Sequence, residues 1–220
     1  RVRFKSMKYE ILILLGIALF LIFRLRSVLG TREGFEKTAT KSVTKKKSPD
    51  FQVIEGGPDT DIVDHVEPNS PMVEILVNIK NVDPTFKLTE FLNGARAAYE
   101  MILMGFERGE IDQIRPFLSD EVAETFDSVI KERSARGIKI EAEFAGIREM
   151  KLQAVDFNKE TKIAELTVNF IGELISVAKN DAGETVEGDP KEVKRQKDIW
   201  TFSKDIGIKD PNWRLVATDE

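Results

Sequence analysis

The most continuous apolar run in the chain lies close to its N-terminus. Residues 11–23 read ILILLGIALFLIF without a charge, and Arg24 and Arg26 follow directly. A membrane span needs about 20 helical residues, but arginine side chains can snorkel to the headgroups and let the apolar stretch continue to Leu29. The pattern therefore predicts one transmembrane anchor over residues 9–29.

Two other interpretations of this segment stay open. A cleavable signal peptide has an apolar core of similar length, but no A-x-A-like site follows and two arginines occupy the expected cleavage region. A buried core helix is the third interpretation, because an apolar run of this length also occurs inside globular domains.

The charge pattern changes twice after the anchor. Residues 24–49 contain eight Lys or Arg and two Asp or Glu (8 − 2 = +6), whereas residues 50–74 contain none of the former and seven of the latter (−7). An excess of basic residues on the C-terminal side of a span places that side in the cytoplasm, or in the matrix of an organelle.

The basic stretch is expected to lie along anionic lipid, although a solvated tether that only fixes topology is an equal alternative. Its membrane-facing candidates are Arg24, Arg26, Lys45, Lys46 and Lys47. The acidic stretch 50–71, with its prolines and glycines, predicts a disordered spacer. Residues 30–80 are therefore expected to form a basic and then acidic flexible tether, with residues 72–79 open to either a helix or a strand.

From residue 81 the apolar positions predict two long helices. They recur every three or four residues over 86–106, the period of an amphipathic helix, and Gly109 is a suitable end. A brief helical turn is expected through 111–117. Ser119 then supplies a capping hydroxyl for a second helix that stops at Gly137.

Past Gly137 the apolar period falls to two, which predicts strands. Residues 138–154 form one strand or two, 163–177 form another, and shorter strands follow around Trp200 and at 213–217. Helices followed by an antiparallel meander make an α+β fold, with two long helices packed on a curved antiparallel sheet of about four strands. We expect this arrangement to enclose a cone-shaped apolar pocket.

Large aromatic side chains are the candidates for lining that pocket, although each of them also suits an ordinary core position. These candidates are Phe91, Tyr99, Phe126, Phe144, Phe170, Trp200 and Trp213.

The remaining composition excludes several classes of function. From residue 81 onward there are 20 basic and 28 acidic residues (20 − 28 = −8), so a nucleic-acid partner is not expected. The chain has no cysteine, which excludes thiol chemistry. Its single histidine, His65, lies in the acidic stretch, and no Ser/His/Asp set or metal-ligand cluster is apparent. We therefore expect no enzyme activity, cofactor or metal.

A small cavity enzyme is the alternative, because a carboxylate in apolar surroundings can serve as a general base. Arg148 and Asp156, which are out of phase with the apolar alternation, are its polar candidates, although such residues more often mark a bulge or a strand end. A buried carboxylate paired with a tyrosine or arginine in the cavity would favour this alternative.

Several segments in order resemble the Tim44-like domain family, which occurs in a mitochondrial inner-membrane import translocase subunit and in membrane-anchored bacterial relatives. The segments are FLNGARAAYEMILMGFERGE, RPFLSDEV, ISVAKNDAGETVEGDP, DIWTFSKDI and DPNWRLVAT. The resemblance covers about residues 83–218. It implies a cystatin-related, nuclear-transport-factor-two-like fold with a large apolar pocket, an association with acidic lipid such as cardiolipin, and no catalytic residues.

The resemblance completes the functional expectation. Residues 81–220 would form a Tim44-like domain that works as a non-enzymatic binding module for lipid, an apolar peptide or a membrane-complex subunit, including a translocase protein. The expected location is the bacterial inner membrane, single-pass, with the domain in the cytoplasm. The mitochondrial member also recruits a seventy-kilodalton heat-shock chaperone, but largely through an N-terminal half that has no counterpart here.

Overall fold

Five helices precede the sheet in the part of the chain that the computed structural model describes, residues 59–208 and 210–219. They are α1 (Thr60–Val63), α2 (Pro71–Val82), α3 (Leu88–Arg108), α4 (Ile111–Ile114), which continues into a 3₁₀ turn (Arg115–Phe117), and α5 (Asp120–Ala135). The predicted anchor over residues 9–29 and the membrane-facing candidates Arg24, Arg26, Lys45, Lys46 and Lys47 lie outside the described residues. Within those residues, no helix is long and apolar enough to cross a bilayer.

Local sequence signals fix the ends of the two long helices. Gly109 follows α3 in a left-handed conformation with φ 75°, and Gly137 follows α5 with φ 68°. Both conformations favour glycine. Ser119 caps α5 as predicted, because its Oγ accepts a hydrogen bond from the amide of Val122 at 3.3 Å. The two predicted long helices are therefore confirmed.

The sheet is antiparallel and has five strands rather than about four. They are β1 (Lys139–Asn158), β2 (Ile163–Lys179), β3 (Thr185–Glu187), β4 (Lys194–Asp205) and β5 (Arg214–Asp219). Strands β1, β2, β4 and β5 are neighbours in that order, and the short β3 pairs with β2. β1 is one continuous strand, with a register shift at Arg148, between Ile147 and Glu149. The α+β class is confirmed.

The core lies between the helices and one face of this sheet. Alternate residues of β2, namely Leu166, Val168 and Phe170, are completely buried on that face. Tyr99 and Ile102 of α3 are equally buried. The helices thus cover this face of the sheet. Along β2, every second side chain points towards them and is buried.

The prediction of a disordered acidic spacer is wrong for residues 59–71. Ile62 and Val66 are 1% and 4% exposed, so this segment contributes to the core despite its charge. The segment 72–79, left open between helix and strand, belongs to α2, and its Leu76 and Ile79 are fully buried. The folded region therefore begins before residue 81.

One acidic side chain explains why this segment folds. The N-cap residue of α3, Lys87, makes no side-chain capping bond. Asp61 takes that role from 27 residues upstream, because its carboxylate accepts hydrogen bonds from the amides of Leu88 (2.8 Å) and Thr89 (2.9 Å). Lys80 lies 2.7 Å from the same carboxylate. The carboxylate thus accepts from two amides that have no acceptor within the helix, and its negative charge lies at the positive end of the helix dipole.

The hydrogen bonds to Asp61 also determine its titration. Burial by itself raises the pKa of Asp61, but the hydrogen bonds from Lys80, Thr89 and Leu88 outweigh it and hold that pKa far below the ordinary value of 3.8. The ionised form is therefore favoured by folding, and its contribution to stability is present above pH 3.8 and is lost as the pH falls further.

Replacing the carboxylate tests this arrangement. We expect Asp61→Ala to lower the free energy of unfolding by about 1–2 kcal/mol at pH 7, because two helix amides lose their acceptor. The deficit relative to the unaltered chain should shrink below pH 3.8, where the carboxylate becomes protonated in the unfolded state but not yet in the folded one. Denaturant unfolding between pH 3 and 7 measures both effects. Asp64→Ala, at an exposed carboxylate of the same segment, is the control, and equal losses from the two variants would contradict the capping role.

Candidate functional site

Three of the predicted pocket residues fill the centre of the fold instead of lining an open space. Tyr99 of α3 stacks on Phe170 of β2, with ring centroids 4.3 Å apart and an interplanar angle of 11°. Trp200 of β4 contacts both rings, at 4.8 Å from Tyr99 and 5.9 Å from Phe170. All three side chains are almost completely buried. They form the aromatic centre of the core.

A carboxylate is buried beside this aromatic centre. The hydroxyl of Tyr99 donates a hydrogen bond to Asp198 Oδ2 at 2.5 Å, and Gln196 Nε2 donates to the other carboxylate oxygen at 2.8 Å. Asp198 is 4% exposed and is the one charged residue buried to this degree in the described part of the chain. Each carboxylate oxygen therefore has one donor, as a buried polar group requires.

The surroundings of this pair shift both titrations in the same direction. Burial raises the pKa of Asp198, and the hydrogen bonds from Gln196 and Tyr99 offset that rise only in part. Burial, followed by the bond to Asp198, raises the pKa of Tyr99. The phenol is therefore neutral at physiological pH and acts as a donor.

A glycine on β2 makes the close approach of Tyr99 possible. A Cβ atom at Gly172 would lie 2.4 Å from the Tyr99 hydroxyl oxygen and 3.0 Å from the ring. No side chain fits there without displacing the tyrosine. The position of α3 above the sheet thus depends on the absence of a side chain at residue 172.

The other predicted residues lie around this centre. Phe91 and Trp213 contact each other, with ring centroids 4.8 Å apart, at the N-terminal end of α3. Phe126 of α5 instead packs on Phe106, with centroids 4.6 Å apart, near the C-terminal end of α3. Phe144 lies 6.2 Å from the Tyr99 ring on the β1 side. The seven candidates are therefore not brought together in one pocket.

The Phe91–Trp213 contact forms part of an open groove of about 560 Å³, which we call the aromatic groove. Its apolar lining consists of Phe86, Phe91, Ala95, Ala97, Ala98, Met101, Ile102, Phe117, Phe202, Pro211 and Trp213, together with Gly94. Charged side chains of both signs stand at its rim. They are Asp83, Lys87, Glu90 and Lys204.

Contacts at the rim position the groove wall. Phe86 lies 6.1 Å from Trp213, and Lys204 Nζ lies 6.0 Å from the face of the same indole. A lysine at this distance is attracted to the negative face of the ring. The indole is thereby held between an aromatic and a cationic neighbour while one side of it faces the groove.

A second groove, of about 420 Å³, continues along α3 from the first. Met101 lines both, so the two are adjacent. We call it the acidic groove. Phe144 and Met104 contribute apolar surface to it, but its charged lining residues are three glutamates and one arginine, namely Glu100, Glu110, Glu143 and Arg108. Its lining is therefore less apolar than that of the aromatic groove.

The polar candidates do not assemble into a reaction centre in the described residues. Arg148 is exposed and pairs with Glu173 at 3.5 Å, Asp156 is exposed on β1, and His65 Nε2 is 2.9 Å from Thr89 Oγ1. The buried carboxylate–tyrosine pair that would favour an enzyme is present, but neither Tyr99 nor Asp198 lines either groove. No group of three or more potential metal ligands occurs among residues 59–208 and 210–219.

Comparison with known proteins identifies the domain. The pattern that defines the Tim44-like domain matches residues 73–220, which include every element from α3 to β5. The chain belongs to the Tim44-like domain family. Among curated proteins, the mitochondrial import inner membrane translocase subunit TIM44 of rat is 27% identical over 160 residues, 71% of this chain and 35% of the relative. The human protein of the same name is 26% identical with the same coverage.

The Tim44-like chain spans about a third of the length of these curated relatives. A probable import inner membrane translocase subunit of Caenorhabditis elegans is 24% identical over 147 residues, 65% of this chain and 34% of the relative. Among solved structures, the intermembrane space region of the chloroplast protein ARC6 covers 58% of this chain and 94% of its own, at 8% identity. Its TM-score of 0.39 is too low for that likeness to support any argument.

The segments that carried the sequence resemblance supply both features of the site. FLNGARAAYE contributes Gly94 to the aromatic groove and Tyr99 to the aromatic centre, DIWTF contributes Asp198 and Trp200, and DPNW contributes Trp213. Sequence reasoning did not single out Asp198. Its signal was present, because Asp198 occupies an inward position in the alternation that also buries Trp200 and Phe202.

Adding one methyl group at Gly172 tests the close packing of Tyr99. We expect Gly172→Ala to lower the free energy of unfolding by about 1–3 kcal/mol, because the new methyl overlaps the phenol and forces α3 outward. Gly94→Ala, whose Cβ meets nothing within 4 Å, is the control and should not be destabilised. Urea unfolding of the three chains provides the comparison, and a Gly172→Ala chain as stable as the original would refute the constraint.

Replacing the buried carboxylate tests its raised pKa. Because the folded state holds the Asp198 proton more tightly than the unfolded chain, the stability that this residue contributes falls as the pH rises above 3.8 towards its raised value. Asp198→Asn cannot titrate, so its stability relative to the original chain should increase over that range. Denaturant unfolding from pH 4 to 8 measures the difference. Parallel curves for the two chains would show that Asp198 keeps an ordinary pKa.

Proposed function

We propose that this Tim44-like chain is a membrane-tethered, non-enzymatic binding module that holds an apolar ligand in the aromatic groove. The observation that carries the proposal is the contrast between two features. The aromatic groove is open and lined mainly by apolar side chains, whereas the buried carboxylate is enclosed beside the aromatic centre. A binding surface is therefore accessible, and the reactive group is not.

The groove has the properties of a ligand site. A volume of about 560 Å³ lies within the range of about 300–1,000 Å³ common for such sites. An apolar floor can hold an acyl chain or the apolar side chains of a peptide, while Lys87 and Lys204 at the rim can orient a negatively charged group. We propose that the groove corresponds to the apolar pocket of the nuclear-transport-factor-two-like fold that the sequence resemblance implies.

The names of the relatives support a role in protein translocation or in the assembly of a membrane complex. The curated proteins are inner membrane translocase subunits of mitochondria, and this chain matches about a third of their length. A role shared through the Tim44-like domain would involve a translocase protein as partner. The predicted anchor over residues 9–29 and the basic residues that follow it would place the domain beside anionic lipid on the cytoplasmic side of a bacterial inner membrane.

A small cavity enzyme is the second candidate, and the Tyr99–Asp198 pair is the observation that favours it. A buried carboxylate whose pKa is raised by its surroundings can serve as a general base. This function requires a substrate path to the pair, and both residues are enclosed in the core. We therefore place the binding module first.

Filling the groove from within tests the proposal. Gly94 lines the aromatic groove, and a Cβ at this position meets no other atom within 4 Å. Gly94→Leu should occupy the groove without disturbing the core, and it should stabilise α3 by about 0.5–1 kcal/mol, as Gly94→Ala should. We expect affinity isolation of the full chain from membranes to recover bound lipid or a partner with the Ala variant and to lose it with the Leu variant.

A second measurement separates lipid from protein ligands. The full chain is reconstituted in vesicles of brominated phosphatidylglycerol, whose acyl chains quench tryptophan fluorescence on contact. Quenching that Gly94→Leu abolishes and Gly94→Ala retains would identify an acyl chain in the groove beside Trp213. Equal behaviour of the two variants in both experiments would contradict the groove as the binding site.

A further inference from the structure

The N-terminal part of the described region forms one wall of the aromatic groove. We call residues 59–87 the strap; it consists of α1, α2 and the connection to α3. Its last residues, including Asp83, Phe86 and Lys87, line the groove, and the ring of Phe86 packs against Trp213 at a centroid distance of 6.1 Å. The shape of the groove therefore depends on where the strap lies.

Hydrogen bonds within the strap orient that wall. Asp83 Oδ1 accepts from both the amide (3.0 Å) and the hydroxyl (2.6 Å) of Thr85, which makes a tight turn just before Phe86. The amide of Phe86 donates to the carbonyl of Asp83 at 3.0 Å. Because this turn follows α2 directly, a displacement of α2 moves the Phe86 ring with it.

The polar attachments of the strap converge on the N-terminus of α3. Asp61 accepts from the amides of Leu88 and Thr89, and His65 contacts the hydroxyl of Thr89. Lys80 of α2 bridges the carboxylates of Asp59 (2.6 Å) and Asp61 (2.7 Å), so that α1 and α2 are joined at the same place. The loss of Asp61 would remove both capping bonds and one of the two ion pairs of Lys80.

Several residues that attach the strap to α3 precede the segment that matches the family. The Tim44-like match begins at residue 73, so Asp59, Asp61 and His65 lie before it. They also fall within the predicted tether of residues 30–80, of which residues 59–80 belong to the described fold. Any restraint on the preceding chain therefore reaches α1 before it reaches the rest of the domain.

We propose that Asp61 sets the position of the strap at the aromatic groove and that this position is coupled to groove occupancy. A ligand that touches both Phe86 and Trp213 binds this arrangement better than one in which the strap is displaced. By linkage, a docked strap strengthens ligand binding and a bound ligand holds the strap in place. The inference rests on the proposed function for what the groove holds, but its test needs no ligand.

Of the two tryptophans of the chain, one reports on the groove and the other serves as an internal control. Trp213 lines the groove and contacts Phe86 of the strap, whereas Trp200 is 3% exposed in the aromatic centre. The full chain is labelled with 5-fluorotryptophan in nonionic detergent micelles and studied by fluorine NMR, with Trp213→Phe used for assignment. We expect Asp61→Ala to shift or broaden the Trp213 resonance and to leave that of Trp200 unchanged. Asp64→Ala, an exposed carboxylate of the same segment, should change neither.

Hydrogen exchange establishes whether the attachment of the strap through Asp61 has been weakened. In Asp61→Ala the amides of residues 60–66, Leu88 and Thr89 should exchange about tenfold faster than in Asp64→Ala, as expected for the loss of one cap. Faster exchange with an unchanged Trp213 resonance would overturn the coupling. Unchanged exchange would overturn the role of Asp61 in holding the strap. Neither result depends on Gly94→Leu, so failure of the proposed function remains distinguishable from failure of this inference.

Discussion

The contact between Tyr99 and the sheet is the constraint on which the rest of this structure depends. The tyrosine stacks on Phe170 and its hydroxyl donates to Asp198, so α3 is held by both an apolar and a polar interaction at one point. Gly172 leaves the space that this approach requires. The centre is thus filled by side chains, and the aromatic groove, which Phe91 and Trp213 line, lies beside it along α3.

This arrangement separates stability from binding along a single helix. Tyr99 faces the sheet and is fully buried, while Gly94 and Ala98, on the same helix, line the groove. A substitution at Tyr99 therefore acts on folding, and one at Gly94 acts on the groove. Asp198 acts on folding together with Tyr99, because its carboxylate accepts hydrogen bonds from Tyr99 and Gln196 and it does not line the groove.

Local patterns were enough to predict α3, α5 and the alternation of β2, because period and capping are properties of neighbouring residues. They could not predict that Asp61 caps a helix 27 residues away, since an acidic, proline-containing stretch has the composition of a disordered spacer. The aromatic candidates failed to converge for a related reason. Periodicity indicates which face of an element a residue occupies. It does not indicate that Phe126 and Trp213 lie near opposite ends of α3, because the distance between these two residues depends on tertiary packing.

The first amides of the two long helices find their hydrogen-bond acceptors in different ways. Ser119 caps α5 from the residue before the helix, so that cap persists wherever α5 forms. Lys87 offers α3 no such oxygen, and the acceptor comes from Asp61, outside the segment that matches the Tim44-like domain. The N-terminal end of α3, which bears Lys87, Glu90 and Phe91 of the groove, is thus completed by the same short segment that leads back to the predicted membrane tether. The groove end of α3 is therefore stabilised by a residue that lies outside the family match.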